Sequence, residues 1–244
     1  MVMSKKSKYS IIDGVRIFHP VVRRFCLKDL ARLQLTPTIE LHLLRHFDVV
    51  DPIYAQHLLG QQYHYFDFTI SKWKKKIIRK KDISLALQVA GSKFLSSCIG
   101  YRNPEELFST IKRKISQASR KGEIIWFEFG DSLRAFYSFE CKYNVGNCNL
   151  VAISQLKKKF RNNIKEQLRG KIKGDNFKIK VVSGINPILT SRVVVEMRYP
   201  HDVATPIHFT AYSGILTPDF PNSNQNKTEK KYSESFWDKH TFIV

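Results

Sequence analysis

Side chains that can transfer a proton or contact a phosphate lie close together in residues 198–221, RYPHDVATPIHFTAYSGILTPDFP. The middle of this segment has the composition of a β-strand, and alternate side chains of a strand share one face. His208, Thr210 and Tyr212 are therefore predicted to project together. The residues between them are predicted to face the core: Ile207, Phe209 and Ala211. The same pattern is also typical of an antiparallel strand with a polar outer face.

A second predicted strand, over residues 191–199, places Glu196 and Arg198 on one face. If the two strands pair, both side chains lie on the same polar surface as His208 and Thr210. Imidazole, carboxyl, hydroxyl and guanidinium groups together suffice for RNA cleavage without a metal ion. The sequence therefore predicts a candidate catalytic surface on this pair of strands.

The roles in such a reaction follow from the chemistry of each side chain. His208 or Glu196 would accept the proton of the 2′-hydroxyl group. Arg198 and Thr210 would stabilise the negative charge on the pentacoordinate phosphorus. Two histidines elsewhere in the chain are candidates for the acid that protonates the leaving oxygen: His201 and His240.

A different nuclease chemistry is suggested by Glu140 and Lys142 in FECKY, which match the E-x-K half of the PD-(D/E)xK signature. There the carboxylate binds Mg²⁺ and the lysine orients the attacking water. A second acid must lie nearby. Asp131 opens the same predicted strand and is too distant, so Glu128 on the preceding strand is the predicted partner. This alternative is a metal-dependent nuclease.

His42 and His46 in HLLRH have the i, i+4 spacing of two zinc ligands on one helical face. The metalloprotease motif also requires glutamate directly after the first histidine, and Leu43 occupies that place. We therefore predict surface or capping histidines here, and neither a metal nor another cofactor.

Net charge is the dominant feature of the composition, with 41 Lys and Arg against 21 Asp and Glu and a formal charge of +20. A polyanion that binds such a chain releases condensed counterions, which favours association. Nucleic acid is the predicted partner, with an anionic membrane surface as the next candidate.

Three basic runs carry this charge, at residues 72–81, 111–121 and 155–173. The first places an aromatic residue that can stack on a base among cations that can bind phosphate, namely Lys72, Trp73, Lys74, Lys75 and Lys76. The third forms an i, i+4 stripe on a predicted helix, namely Lys157, Arg161, Lys165 and Arg169. Solvated helix faces are the alternative interpretation. The interleaved aromatic residue favours RNA over DNA. The leading hypothesis is a metal-independent ribonuclease activity in the C-terminal half, and the main alternative is a non-catalytic RNA- or DNA-binding protein, for which the basic helices alone suffice.

The predicted fold class is α+β, in two regions. Residues 1–100 are predicted to be mainly helical, with helices over 20–35, 37–47 and 51–63. Residues 101–244 are predicted to form a mainly antiparallel sheet packed with basic helices over 103–122 and 154–172, with a polar loop at 221–235. The N-terminal helices are a candidate surface for a protein partner.

The predicted helix 154–172, the strands 177–183 and 191–199, and the segment PIHFTAYSG together resemble ribonuclease domains of the barnase, colicin and RelE type. In that family a basic helix precedes a twisted antiparallel sheet, and catalysis needs no metal. The resemblance covers about the last 90 residues and implies catalytic roles for four of the residues discussed above: His208, Thr210, Tyr212 and Arg198. The helical N-terminal region has no counterpart in the minimal family domain.

The four cysteines form no C-x-x-C pair, which speaks against a zinc ribbon. The first ten residues lack the apolar segment of a secretory signal. The sequence also contains no run of 18 apolar residues, the length that a membrane-spanning helix needs. The sequence therefore predicts a reducing, cytoplasmic location.

Overall fold

The computed structural model describes residues 9–67, 72–82, 92–95, 100–130, 132–148, 150–168, 178–186, 188–200 and 206–243. Helices and antiparallel strands are both present, so the predicted α+β class is confirmed. The helices are α1 (Leu27–Arg32), α2 (Pro37–Leu44), α3 (Pro52–Gln56), α4 (Pro104–Arg120), α5 (Lys158–Asn162) and α6 (Lys227–Lys239).

The largest sheet has five strands, which occur in the spatial order β15 (His208–Ser213), β14 (Arg192–Pro200), β8 (Ser132–Glu140), β7 (Ile125–Glu128) and β3 (Val21–Arg24). All four pairs of neighbours are antiparallel. Val193, Val194 and Val195 of β14 are completely buried, although successive residues of a strand face opposite sides. The sheet is therefore covered on both faces along this strand.

A four-stranded sheet contains β10 (Leu150–Ala152), β16 (His240–Ile243), β12 (Lys178–Val182) and β11 (Lys165–Leu168). A three-stranded sheet contains β13 (Ile188–Thr190), β9 (Gly146–Cys148) and β6 (Lys93–Phe94). Two hairpins complete the described strands, β1 (Ser10–Ile12) with β2 (Val15–Ile17) and β4 (Gln62–Asp67) with β5 (Lys72–Ile77).

Helix α4 has the start and the end that its sequence predicts. The side chain of Asn103 accepts a hydrogen bond from the backbone N–H of Glu106 at 2.9 Å, and Pro104 is the first helical residue. Gly122 follows the helix with φ +69°, a conformation that glycine adopts without steric cost. One face of the helix is buried in the core: Leu107, Ile111, Ile115 and Ala118.

The predicted helices at 37–47 and 51–63 are present as the shorter α2 and α3. Asp51 caps α3 by accepting a hydrogen bond from Ile53 N at 2.8 Å. Leu41 and Leu44 of α2 belong to the same buried cluster as Val195 of β14. Residues on both sides of position 100 therefore share one hydrophobic core.

The helix predicted over 20–35 is wrong in its first half. Residues 21–24 form β3, and only Leu27–Arg32 are helical, so three strands precede the first helix. The β-branched pair Val21 and Val22 favours a strand, and β7 supplies the backbone partners that a strand needs. The helical spacing of the apolar residues did not reveal this long-range pairing.

The helix predicted over 154–172 is also wrong. A short 3₁₀ turn at Ile153–Gln155 is followed by α5, and Lys165–Leu168 then form β11 paired with β12. Asn162 and Asn163 are poor helix formers and end α5 after five residues. Because this helix anchors the resemblance to small ribonuclease domains, the resemblance loses that element.

The polar segment predicted as a loop at 221–235 contains most of α6. Asn226 caps the helix by accepting hydrogen bonds from Thr228 N at 3.0 Å and Glu229 N at 2.9 Å. Ser233 and Trp237, four residues apart, face the interior. No helix in the described part of the chain is both long enough and apolar enough to cross a bilayer.

Candidate functional site

The predicted polar surface on β14 and β15 exists as a paired register. Arg198 lies opposite His208, and Glu196 lies opposite Thr210. The alternation predicted for β15 is confirmed, since its other side is completely buried: Ile207, Phe209 and Ala211. The two strands therefore bring the sequence-predicted residues of both strands to one side of the sheet.

Tyr212 and Glu196 interact directly within this surface. The hydroxyl group of Tyr212 donates a hydrogen bond to Oε1 of Glu196 at 2.7 Å. Burial raises the pKa of Glu196 and outweighs the opposite effect of this hydrogen bond, and Asp219 raises it further. Burial raises the pKa of Tyr212 as well. A carboxyl group with a raised pKa suits an acid rather than a base.

Two histidines that were not among the predicted catalytic residues, His42 and His46, contact the same surface. Nε2 of His42 lies 2.9 Å from Oγ1 of Thr210, and its ring centroid is 5.9 Å from that of His208. The ring of His46 stacks on Tyr212 at 5.8 Å. The prediction of surface or capping histidines is wrong, because both rings are largely buried. Only His42 belongs to α2, and His46 follows the end of the helix at Leu44. Their contact with β15 depends on the packing of α2 against the edge of the sheet.

Burial keeps both of these histidines neutral. It lowers the pKa of His42 to about 3, with further lowering from the charges of His46, Arg45 and His208. It lowers the pKa of His46 to about 4, although a hydrogen bond to the carbonyl of Ser92 acts in the opposite direction.

His208 and Arg198 are the exposed members of the surface. Desolvation lowers the pKa of His208, and the positive charge of Arg198 lowers it further. A neutral imidazole is able to accept a proton, and the guanidinium group beside it is able to stabilise the negative charge that develops on a phosphate.

One candidate acid, His240, does not belong to this pair of strands. His240 belongs to β16, where it pairs with Ala152, and its ring stacks on Phe236 at 4.0 Å. Nδ1 of His240 is 2.7 Å from the carbonyl oxygen of Phe236, so the ring is held in the four-stranded sheet and not beside β15. His201 lies outside the described residues.

The predicted second acid of the E-x-K pair, Glu128, does not lie close to that pair. Glu140 accepts hydrogen bonds from Nε of Arg192 at 2.7 Å and from Oγ of Ser191 at 2.6 Å. Glu128 pairs with Leu133 at the other end of β8, so the predicted proximity of Glu128 to Glu140 is wrong. Antiparallel pairing through a tight turn places the end of β7 beside the start of β8, not beside its end. Within the described residues, no group of three or more His, Cys, Asp or Glu is arranged to hold a metal ion.

The first basic run forms strand β5 of a hairpin. Its register places each predicted binding residue opposite a residue of β4: Lys72 and Asp67, Trp73 and Phe66, Lys74 and Tyr65, Lys75 and His64, and Lys76 and Tyr63. Opposite positions of an antiparallel pair share a face. Two lysine positions, 74 and 76, thus lie beside tyrosine positions.

The third basic run does not form the predicted stripe. Lys157 precedes α5, Arg161 lies within it and Lys165 belongs to β11. All three are exposed. Arg169 lies outside the described residues. A change from helix to strand breaks the i, i+4 relation, because side chains then alternate between faces.

The second basic run, which sequence analysis noted but did not assign to the binding surface, is the one that stays on a single helix. Lys112, Arg113, Arg120 and Lys121 are all exposed at or just after α4, and we call them the cationic face of α4. Residues 107–122 contain no Asp or Glu. Glu123 lies 3.7 Å from Nζ of Lys121 in an exposed ion pair. The amphipathic spacing of α4 was the signal that could have identified this surface.

Comparisons of the chain with protein-family models, with curated proteins and with solved structures give no match.

Proposed function

We propose that this protein binds nucleic acid and prefers RNA to DNA. The observation that carries the proposal is the cationic face of α4, where four exposed cations lie on or directly after one helix and no carboxylate interrupts residues 107–122. A helix of 17 residues is about 25 Å long, enough to follow several phosphates. A chain with a formal charge of +20 gains free energy from counterion release when it binds such a polyanion.

The preference for RNA is supported by the hairpin of β4 and β5. Its register places lysine positions 74, 75 and 76 of β5 opposite the aromatic positions Tyr65, His64 and Tyr63 of β4. Unpaired bases stack on aromatic side chains while cations contact the adjacent phosphates. Single-stranded or looped RNA exposes such bases, whereas a regular duplex hides them.

Two charge variants test the proposal. In the first, the α4 variant, the four cations of the cationic face are replaced by glutamine. In the second, the α6 variant, four exposed lysines of α6 are replaced by glutamine: Lys227, Lys230, Lys231 and Lys239. Both variants lose four positive charges, so only the position of the charge differs. Fluorescence anisotropy with a short labelled RNA measures binding, and unlabelled RNA and DNA of the same sequence are compared as competitors.

Metal-independent RNA cleavage is a second candidate function, favoured by the neutral His208 opposite Arg198. The imidazole of His208 accepts the 2′-hydroxyl proton while O2′ bonds to phosphorus. The bond between phosphorus and O5′ breaks, and the carboxyl group of Glu196 donates its proton to the leaving oxygen. Arg198 stabilises the charge that develops on the phosphate.

If His208 is the base, His208→Ala lowers the rate of cleavage of labelled RNA by about 10²–10⁴-fold, the usual contribution of a positioned base. Binding of the RNA stays within about twofold of the original, and EDTA has no effect. The matched control is Lys142→Ala, which removes the exposed lysine of the E-x-K pair. Cleavage that is lost with EDTA or with Lys142→Ala would instead indicate the metal-dependent nuclease, and binding without any cleavage would leave a non-catalytic binding protein.

A cytoplasmic location belongs to the same proposal. The thiols of Cys26, Cys141 and Cys148 are free, as is usual in a reducing compartment. A protein partner at helices α1 to α3 stays a prediction.

A further inference from the structure

A cleft of about 710 Å³ opens between α2, α3 and α4. Its lining includes Glu40 of α2, Tyr54 of α3, and His57, which directly follows α3. Helix α4 contributes Glu105, Phe108 and Lys112 to the lining. On the basis of the nucleic-acid binding proposed above, we propose that this cleft receives one unstacked base of the bound strand and selects bases that carry an exocyclic amino group.

The cleft adjoins the cationic face of α4. Lys112 belongs to the cationic face of α4 and also lines the cleft. Arg113 and Arg120 continue the same face and are separated by two helical turns, about 10 Å along the axis. A strand whose phosphates follow these cations passes the mouth of the cleft, so one base can turn inward while the backbone stays outside.

Aromatic rings supply the surfaces on which a base stacks. Phe108 is fixed by stacking on Phe209, with 5.6 Å between the ring centroids. The rings of Tyr54 and His57 meet edge to face at 6.3 Å. Nζ of Lys112 lies 5.7 Å from the centre of the Phe108 ring. Aromatic side chains beside a cation are the usual features of a site that binds single-stranded nucleic acid.

Two carboxylates determine which base edge the cleft accepts. Burial raises the pKa of Tyr54, a hydrogen bond to Glu40 raises it further, and the charges of Glu40 and Glu105 add to the effect. Both carboxylates thus act on the same hydroxyl group, and both line the cleft. An ionised carboxylate only accepts hydrogen bonds. The amino groups of adenine, cytosine and guanine can donate to it. Uracil has no amino group: it presents a carbonyl oxygen at the position of the cytosine amino group, and its ring N–H lies between two carbonyl oxygens that a carboxylate repels.

The same carboxylates fix the direction in which the nucleotide enters. They repel a phosphate from the interior of the cleft, whereas Lys112 attracts one at the rim. The volume lies within the range of about 300–1,000 Å³ that is common for small-molecule sites. The base therefore points inward, and the phosphate stays on the cationic face.

The test measures binding of labelled oligo(A), oligo(C) and oligo(U) to the full chain by fluorescence anisotropy. We expect the protein to bind oligo(A) and oligo(C) about tenfold more tightly than oligo(U), the scale of discrimination by good hydrogen bonds to a base edge. In the double variant Glu40→Gln, Glu105→Gln this ratio falls to about twofold, and oligo(U) binds no more weakly than before. Because Glu40 is half-buried, the exposed Glu105→Gln is also measured alone, and an intermediate ratio is expected.

The matched control is Glu234→Gln, Asp238→Asn, which removes two exposed carboxylates outside the cleft and leaves the ratio unchanged. A ratio that the cleft variants do not change, or an original protein without base preference, would overturn the inference while leaving nucleic-acid binding intact. If an oligo-arginine peptide binds the protein and the cleft variants abolish only that binding, the cleft is a site for a basic protein segment and the inference is wrong. Failure of all three oligonucleotides to bind overturns the proposed function, and the inference with it.

Discussion

Replacement of Asp29 by alanine is expected to lower the free energy of unfolding by about 2–4 kcal/mol, because the buried donors that Asp29 satisfies would lose their acceptor. Asp29 is only 3% exposed. Its two oxygens accept hydrogen bonds from the guanidinium of Arg23 at 2.6 and 2.8 Å. The backbone N–H of Cys26 donates to it at 2.9 Å and the indole N–H of Trp126 at 3.1 Å. Alanine leaves all of these donors without their acceptor.

The position of Asp29 explains why so large an effect is expected. It joins the start of α1 to β3 and, through Trp126, to β7. Burial alone would raise the pKa of Asp29, but the hydrogen bonds from Arg23, Cys26 and Trp126 outweigh it and lower the pKa overall. Its contribution to stability is therefore present above the pKa of the unfolded carboxyl group and is lost as the pH falls through the folded value.

Urea unfolding at neutral pH measures this effect. The control is Glu123→Ala, which breaks the exposed ion pair with Lys121 and is expected to cost less than about 1 kcal/mol. Two equal, small losses would contradict the buried network around Asp29.

Acidification from pH 7 to pH 5 is expected to destabilise the folded chain by about 4 kcal/mol through His42 and His46. Their folded pKa values are lowered from 6.5 to about 3 and about 4, first by burial and then by neighbouring positive charges. Below pH 6.5 the unfolded chain binds a proton at each site that the folded chain does not bind. Stability therefore rises with pH through this window and is lost on acidification, by about 2 kcal/mol per histidine at pH 5.

The measurement compares urea unfolding at pH 7 and pH 5 in the original chain and in the double variant His42→Gln, His46→Asn. Glutamine keeps a polar atom near Nε2, which contacts Thr210, and asparagine keeps one near Nδ1, which contacts Ser92. The variant should lose much less stability between the two pH values. An equal loss in both chains would show that the histidines are not buried against β15.

Local signals were sufficient to predict α4 and the alternation of β15. Asn103, Pro104 and Gly122 fix the limits of the helix through their own backbone preferences. On β15, the polar and apolar residues alternate without interruption. Where the local preferences and the buried pattern agree, the sequence alone predicts the element.

Long-range pairing explains what could not be predicted. Residues 21–24 have apolar residues near helical spacing, yet they form a strand because β7 is available as a neighbour. Lys165–Leu168 leave the predicted helix because β12 pairs with them. The approach of His42 to Thr210 depends on where α2 packs, which no pattern within residues 37–47 specifies. The cleft near Lys112 likewise requires α4 to pack beside α2 and α3, from which it is distant in sequence.

Binding of labelled single-stranded RNA at about 50 mM and about 200 mM salt, in the original chain, the α4 variant and the α6 variant, tests the central claim most directly. We predict that the original chain binds RNA and weakens steeply with salt. The α4 variant should bind at least tenfold more weakly at low salt, and its salt dependence should be shallower by about three, since each phosphate contact contributes about 0.7 to the slope. The α6 variant should keep the original slope. Equal weakening in both variants, or no salt-dependent binding of the original chain, would contradict the proposal that α4 holds the nucleic acid.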